Sequence, residues 1–317
     1  MMALSMHGVY GSGMEIRHLR HFVAVVDAGN LSKAAERAFI SQPALTRSIR
    51  NLEDIVGAPL LERRPRGVVP TPAGDTLYAH ARLVLNECAR AKAEVKAVQG
   101  GARGQISIGI AAMFAEHVVD DAIVRLCRAQ APVSIQVTQG FFEEMLTALQ
   151  AGVLDAVFCN LPSLTLPDDV TVEPLLDIPA SIWAGTGTTL PSRGITREDL
   201  ARQPWAVVDQ THMELFMERF FGDAGLPAPR PLLRTNSIGL IRKLIYRDAF
   251  LTLLPDHLMA AQEEEGFARR ILVEGVPIVR RAGLIRRATM PNRPALEAFC
   301  EELRAACGRS GMHAVHG

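Results

Sequence analysis

The chain has 317 residues, 48% of them hydrophobic and 21% charged, with 34 Lys and Arg balanced by 34 Asp and Glu. That composition fits a folded globular chain long enough for two or three cores, and no apolar run reaches the about 18 residues that cross a bilayer. Residues 1–100 carry 13 basic against 9 acidic side chains and residues 101–317 carry 21 against 25, so the front is mildly basic and the back mildly acidic.

The opening "MMALSMHGVYGSG" has neither the basic nor the apolar region of a secretory signal. Residues 1–13 read as a tag or disordered extension, with the fold beginning at Met14. Arg17 to Ala28 is predicted as a helix with Leu19, Phe22, Val23 and Val26 on one face and Gly29 as its stop. Ser32 is the predicted cap of a second helix, whose stripe of Ala34, Ala35 and Ala38 lets a neighbour approach closely. Ser41 caps a third, with Pro43 in the first turn where its missing N–H costs nothing. Leu45, Ile49, Leu52 and Val56 form its buried stripe and Gly57 ends it.

That stripe leaves Gln42, Pro43, Thr46, Arg47, Arg50 and Asn51 facing outward. A helix can enter the DNA major groove, where Arg reads guanine and Gln reads adenine through paired hydrogen bonds. Its first turn is where bases are met. An ordinary three-helix bundle with a solvated face fits the same stretch. The following "LLERRPRGVVPTPAG" predicts two short strands joined at Pro65-Arg66-Gly67, a wing whose Arg63, Arg64 and Arg66 suit phosphate contacts.

From Ala73 to Gln99 one long helix is predicted. Leu77, Ala81, Val84, Cys88, Ala91, Val95 and Val98 recur at spacings of four and three, a heptad seam suited to pairing with a second copy. A bundle helix packed only within its own chain is the alternative. Residues 100–104, "GARG" preceded by Gly100, read as a hinge. Beyond it, "QISIGI", "VSIQVTQ", "DAVFCN", "SIWAG", "WAVVDQ", "FLTLLP" and "AGLIRR" are strand candidates. Amphipathic segments 141–151, 212–224 and 237–247 lie between them, which predicts an α/β domain with largely parallel sheets and a cleft between two subdomains.

Ligands in such domains settle beyond the carboxyl ends of strands and against helix N-termini. That rule picks Met113 and Phe114, Gln139 and Phe141, Asn160, Asp209, and Asn236 with Ser237 as effector-contacting candidates, each of which also suits a turn or cap. A cleft-facing Asp209 would repel simple organic anions and favour a polyol, phenol or amine. No GxSxG elbow, GxxxxGK[ST] loop or HExxH motif occurs. "GTGTTL" at 185–190 lacks the spacing and lysine of a phosphate loop, and the His18/His21 pair lacks a third metal ligand. Neither catalytic residues nor a metal or cofactor is therefore expected. Five cysteines at 88, 127, 159, 300 and 307 without CxxC spacing suggest reduced thiols in a cytoplasmic protein.

Residues 14–80 resemble the N-terminal domain of LysR-type transcriptional regulators. The resemblance is carried by "SKAAERAFISQPALTRSIRNLE", "GAPLLER" and "TPAG" in order and spacing, with the long helix following. It implies an α/β chain with a winged helix-turn-helix DNA-binding domain over 14–72 (helix-turn-helix about 31–50) and a linker/dimerisation helix over 73–99. Behind the hinge comes a two-subdomain, periplasmic-binding-protein-like effector domain over 105–307, then a tail over 308–317.

By the same resemblance Gln42, Pro43, Thr46 and Arg50 take groove-facing positions, while Ser32, Arg47, Arg63 and Arg66 support or contact phosphate. The implied partners are double-stranded promoter DNA, a second copy through residues 73–99, usually a tetramer, a small organic effector, and RNA polymerase as a further partner. Many relatives have Ser or Thr where this chain has Ala111 and Ala112, which points away from a simple carboxylate clamp and toward a more apolar or aromatic ligand. A thiol-based redox sensor of the same family is the alternative function, but its two cysteines in the second subdomain have no counterpart between Cys159 and Cys300. Cys300 and Cys307 stand two turns apart on one helix, about 10.5 Å along its axis and beyond disulfide reach. A solute-binding protein or enzyme of the same α/β build would not need the basic head.

Overall fold

The computed structural model describes residues 13–65, 67–99, 104–129, 133–162, 166–191, 193–208, 211–276, 278–290, 293–310 and 313–314. Most of the 1–13 extension, hinge residues 100–103, Arg66, Asp209 and part of the tail lie outside the described residues. Two compact units are present. One gathers the chain up to Gln105 with Pro132–Ser134 and Leu146–Asp155, and the other holds Ile106–Ala131, Ile135–Met145 and the chain from Ala156 on.

The first unit is built on helices α1 (Ile16–Ala28), α2 (Leu31–Arg37) and α3 (Gln42–Val56), strands β1 (Leu61–Arg64) and β2 (Gly67–Pro70), and the 28-residue helix α4 (Pro72–Gln99). Phe22, Val25, Ala34, Leu45, Leu52 and Leu60 form its core. The alanines of α2 are buried at 0% and 3% exposure in the core that α1, α2 and α3 share. Ser41 caps α3 as expected, its Oγ accepting from the Ala44 N–H at 3.4 Å, and Gly57 ends the helix at φ 75°. Two expectations change. The α2 cap is Asn30, whose Oδ1 accepts from the N–H groups of Ser32 and Lys33 at 2.9 and 3.1 Å, because a cap stands one residue before the first helical one. Val56, at the last turn of α3, is 40% exposed because the core ends at Leu52.

The motif residues behind α3 have definite jobs. Glu53 Oε1 accepts from the N–H groups of Leu60 and Leu61 at 2.8 and 3.3 Å and so holds the entry to the wing. Thr71 Oγ1 donates to the Pro59 carbonyl at 2.7 Å and accepts from the Gly74 N–H at 3.0 Å, capping α4. A Cβ on Gly74 would sit 2.0 Å from the Leu60 carbonyl oxygen, so only glycine lets α4 start there. The "TPAG" spacing is thus a capped helix start pressed against the wing.

Between α2 and α3 the chain passes through Phe39 at φ 55°, the one non-glycine among the described residues with positive φ, and its ring is 94% exposed. The left-handed region disfavours a Cβ. Phe39→Gly is therefore expected to stabilise the head by about 0.5–1 kcal/mol, read as a higher Tm, because no packing is lost; a lower Tm would show that the phenyl ring has a folded-state contact.

The second unit is organised by β6 (Val170–Gly185), a 16-residue strand. Its main sheet runs β10 (Ala268–Ile271), β6, β11 (Ile278–Arg287), β5 (Ala156–Asn160), β3 (Gln105–Ile110), β4 (Ser134–Gln139), with β9 (Leu251–Pro255) and β12 (His313–Ala314) also on β6. β7 (Ala206–Val208) and β8 (Leu233–Thr235) form a separate parallel pair. The expectation of largely parallel sheets is corrected: β3–β5 and β7–β8 are parallel, but β11 runs antiparallel to both β5 and β6, as do β9 and β10 to β6. Pro174 and Pro179 hide the first half of β6 from a propensity reading, since proline demotes a strand. Helices α5 (Asp120–Arg128), α6 (Phe142–Gln150), α7 (Arg197–Ala201), α8 (Thr211–Gly222), α9 (Ile238–Arg247), α10 (Asp256–Glu264) and α11 (Pro294–Arg309) complete the described α-helices. Among the described residues, no helix is long and apolar enough to cross a membrane.

Candidate nucleic-acid interface and ligand cleft

On α3 the alternation of buried and outward positions is sharp. Leu45, Ile49 and Leu52 are buried, while Gln42, Pro43, Arg47 and Arg50 are exposed and Thr46 is half-buried beside them. Ser32 Oγ donates to Gln42 Oε1 at 3.2 Å, which ties α2 to the first turn of α3. Taking that lone pair leaves the Gln42 amide N–H groups pointing outward as donors. His21 Nδ1 lies 2.7 Å from Ser48 Oγ and fixes the inner flank of α3 to α1. In the wing Arg64 pairs with Glu62 at 3.3 Å, whereas Arg47, Arg50 and Arg63 have no acid partner among the described residues. Arg66 lies outside the described residues. The first unit thus places one Gln and three unneutralised guanidinium groups on α3 and the wing.

The seam on α4 divides into two parts. Leu77 and Ala81 pack into the head core, and the Tyr78 hydroxyl donates to Asp27 of α1. Farther along, Val84 is 41% and Val95 61% exposed and Ala91 is exposed, so the heptad positions beyond the head are largely uncovered within one chain. Arg90 meets Asp155 at 2.8 Å and donates to the Gly152 carbonyl at 2.6 Å, and Asn86 donates to the Ala151 carbonyl at 2.7 Å.

In the second unit a cleft of about 220 Å³, open to solvent, is lined by Met113, Gln139, Phe141 and Glu144 on one side and Val208, Asn236 and Ile238 on the other. A second, mostly apolar cavity of about 20 Å³, room for about one water, shares Met113 and Val208 with it and is lined further by Asn160, Ile178, Met213 and Arg280. Asn160 Nδ2 donates to Met113 Sδ at 3.2 Å, and its Oδ1 is buried without a partner. The structure therefore brings together five of the expected residues: Met113, Gln139, Phe141, Asn160 and Asn236. Phe114 is not among the lining residues: the short turn at Ala112–Phe114 puts Ala112 and Met113 on the cleft and Phe114 in the core, fully buried and packed on Phe158 with ring centroids 4.7 Å apart. Ser237 is spent on capping α9, its Oγ accepting from the Leu240 N–H at 3.2 Å. Asp209 lies outside the described residues.

Residues 16–75 match the family described as bacterial regulatory helix-turn-helix protein, lysR family, and residues 99–308 match the LysR substrate binding domain. The chain belongs to the LysR family of transcriptional regulators. The HTH-type transcriptional regulator GalR of Pseudomonas putida is 26% identical over 291 residues, 92% of this chain and 73% of that protein. The full-length LysG of Corynebacterium glutamicum with bound effector Arg superposes with a TM-score of 0.63 at 18% identity, covering 96% of this chain and all of that one. Full-length CbnR complexed with its target DNA gives 0.61 at 21%, covering 92% and 100%. LysR regulators bind promoter DNA and small-molecule effectors and form oligomers, and the family is one of regulators rather than enzymes.

For this LysR regulator, strand-end reasoning missed Glu144, Val208 and Arg280. Val208 directly precedes the Asp209 that the strand-end rule picks, and Arg280 lies ahead of the "AGLIRR" run that marks its strand. Of the five cysteines, Cys159, Cys300 and Cys307 are buried, and burial pushes their thiols up to about 12, 11 and 12, so these three remain protonated rather than reactive thiolates, while Cys127 is exposed and Cys88 half-buried. Among the described residues, no three His, Cys, Asp or Glu side chains cluster to hold a metal ion.

Proposed function

We propose that α3 enters the major groove of promoter DNA, with Gln42, Pro43, Thr46 and Arg50 facing base edges. Ser32, Arg47, Arg63 and Arg66 support or contact phosphate. The single observation that carries this reading is the uninterrupted polar face of α3 above a fully buried Leu45, Ile49 and Leu52 stripe. The uncovered heptad positions of α4 support pairing of two copies through residues 73–99, assembled further into a tetramer, so that two heads span neighbouring half-sites. A small effector in the cleft lined by Met113, Gln139, Phe141 and Asn236 shifts the balance of conformers by binding them unequally. The protein acts in the cytoplasm, and RNA polymerase reads the outcome at the promoter.

Genome-wide mapping of bound DNA followed by footprinting tests this. The expected result is protection of two half-sites about one helical turn or a multiple apart; binding to no fragment above random DNA would sink it. Arg63→Ala is expected to weaken every sequence alike and to lower the slope of log K against log salt by about 1. A sequence-dependent loss would instead place Arg63 at a base edge.

A further inference from the structure

Phe39 holds a phenyl ring out in solvent from a strained backbone. Its φ of 55° is the one positive value at a non-glycine among the described residues. Its 94% exposure exceeds that of every other large apolar side chain among them, Leu272 following at 77%. The conformation closes α2: the Phe39 N–H donates to the Glu36 carbonyl at 3.1 Å and the Ile40 N–H to the Ala35 carbonyl at 3.1 Å. Glycine or asparagine fills such a left-handed closing position at least cost. Ile40, the next residue, packs against the head core, and Phe39 does not. Strain kept without a folded-state contact is found chiefly where a side chain meets a ligand.

The place of the ring in the head says what it meets. Phe39 stands three residues before Gln42, so their Cα atoms lie within about 10 Å of each other. Bases along one strand are about 3.4 Å apart, which puts the ring within about three base steps of the pair that Gln42 meets. Ser41, between them, caps α3 with its Oγ, and Ser32 ties α2 to Gln42 at 3.2 Å, so both ends of the turn are held beside the first turn of α3. Its neighbours Glu36 and Arg37 are exposed and of opposite sign, so their charges largely cancel at the ring. A phenyl group offers phosphate no hydrogen bond. The apolar group that B-DNA presents in its major groove is the C5-methyl of thymine.

We infer that Phe39 is a further specificity-determining residue, its ring packing on the C5-methyl of a thymine within about three base pairs of the one met by Gln42. This rests on the reading that α3 enters the major groove, and adds to it a contact made by the turn rather than by the helix. Gln42 and Arg50 select bases through hydrogen bonds; Phe39 selects thymine by taking a methyl group out of water. The strain of the left-handed turn is present in the free head and offset only in the complex.

The test uses the full chain and a duplex selected from a random pool, remade with each thymine in turn replaced by uracil, which removes only the methyl group. One such replacement is expected to weaken wild-type binding roughly 3-fold or more. The same replacement should leave Phe39→Asn unaffected, since asparagine keeps the left-handed turn without the ring. Unbound Phe39→Asn should melt no lower than the wild type. A lower Tm, a uracil penalty equal in both proteins, or no thymine whose methyl matters overturns the inference. So does a Phe39→Asn protein that binds DNA as before but no longer activates a promoter, which would seat a protein partner on the ring. Gln42→Ala separates this contact from the docking of α3. If Gln42→Ala relaxes base preference and Phe39→Asn does not, only the thymine contact falls; if neither changes preference or affinity, the docking reading falls with it.

Discussion

Replacing Asp155 with alanine is expected to cost about 3–5 kcal/mol of stability. Asp155 is 1% exposed, and its Oδ1 stands 2.8 Å from an Arg90 nitrogen that also donates to the Gly152 carbonyl. The Oδ1 contact is an ion pair rather than an aligned hydrogen bond, so Coulomb attraction in a low-dielectric setting is its main contribution. Removing the carboxylate takes from a largely buried guanidinium its buried counterion and leaves it Glu87, at 2.8 Å, as the more exposed one. Arg90→Ala should also be harmful, because it takes the guanidinium from a fully buried carboxylate and frees the Gly152 carbonyl as well. Replacing both by Met and Leu should recover much of the loss, since a packed apolar pair avoids desolvation. Calorimetric unfolding of the full chain checks this; a loss below about 1 kcal/mol in Asp155→Ala would mean that water screens the pair.

The second large effect belongs to DNA recognition. Arg50→Ala and Gln42→Ala are each expected to cost about 1–3 kcal/mol of specific binding and to relax preference at one base pair, while binding to random DNA changes little. Gln42 carries a further, testable dependence. Because Ser32 Oγ holds its Oε1 at 3.2 Å, Ser32→Ala should release the amide to rotate and erode the same base preference more weakly. Selection of bound sequences from a random pool separates these outcomes. If Gln42→Ala weakens all sequences equally, the first turn of α3 lies over phosphate and the assigned docking face is wrong.

The head was legible in the sequence almost residue by residue. Its helices bury one stripe each at helical spacing, so a local pattern suffices to say that Leu45 and Ile49 go in and Gln42 and Arg50 go out. Capping is local too, although Asn30 displaced Ser32 by two positions. The second unit was legible as alternating strands and helices, and five of the eight expected contacts do line its cavities. What failed there was pairing. The Pro-bearing start of β6 hid a strand that joins β9, β10, β11 and β12, turning an expected parallel sheet into a mixed one.

By itself, then, the sequence determined the family, the reading head, the wing, the long helix and the presence of an α/β ligand domain, because each rests on spacing within a few turns or strands. Only the tertiary structure decided that Phe114 belongs to the core, that Ser237 is used up as a cap, and that of two adjacent arginines Arg281 meets Asp177 while Arg280 lines the cavity. In a strand the period of two says that neighbours part company but not which face is the cavity. That is set by partners more than a hundred residues away, Asp177 and Ile178 on β6, whose register against β11 no local pattern contains.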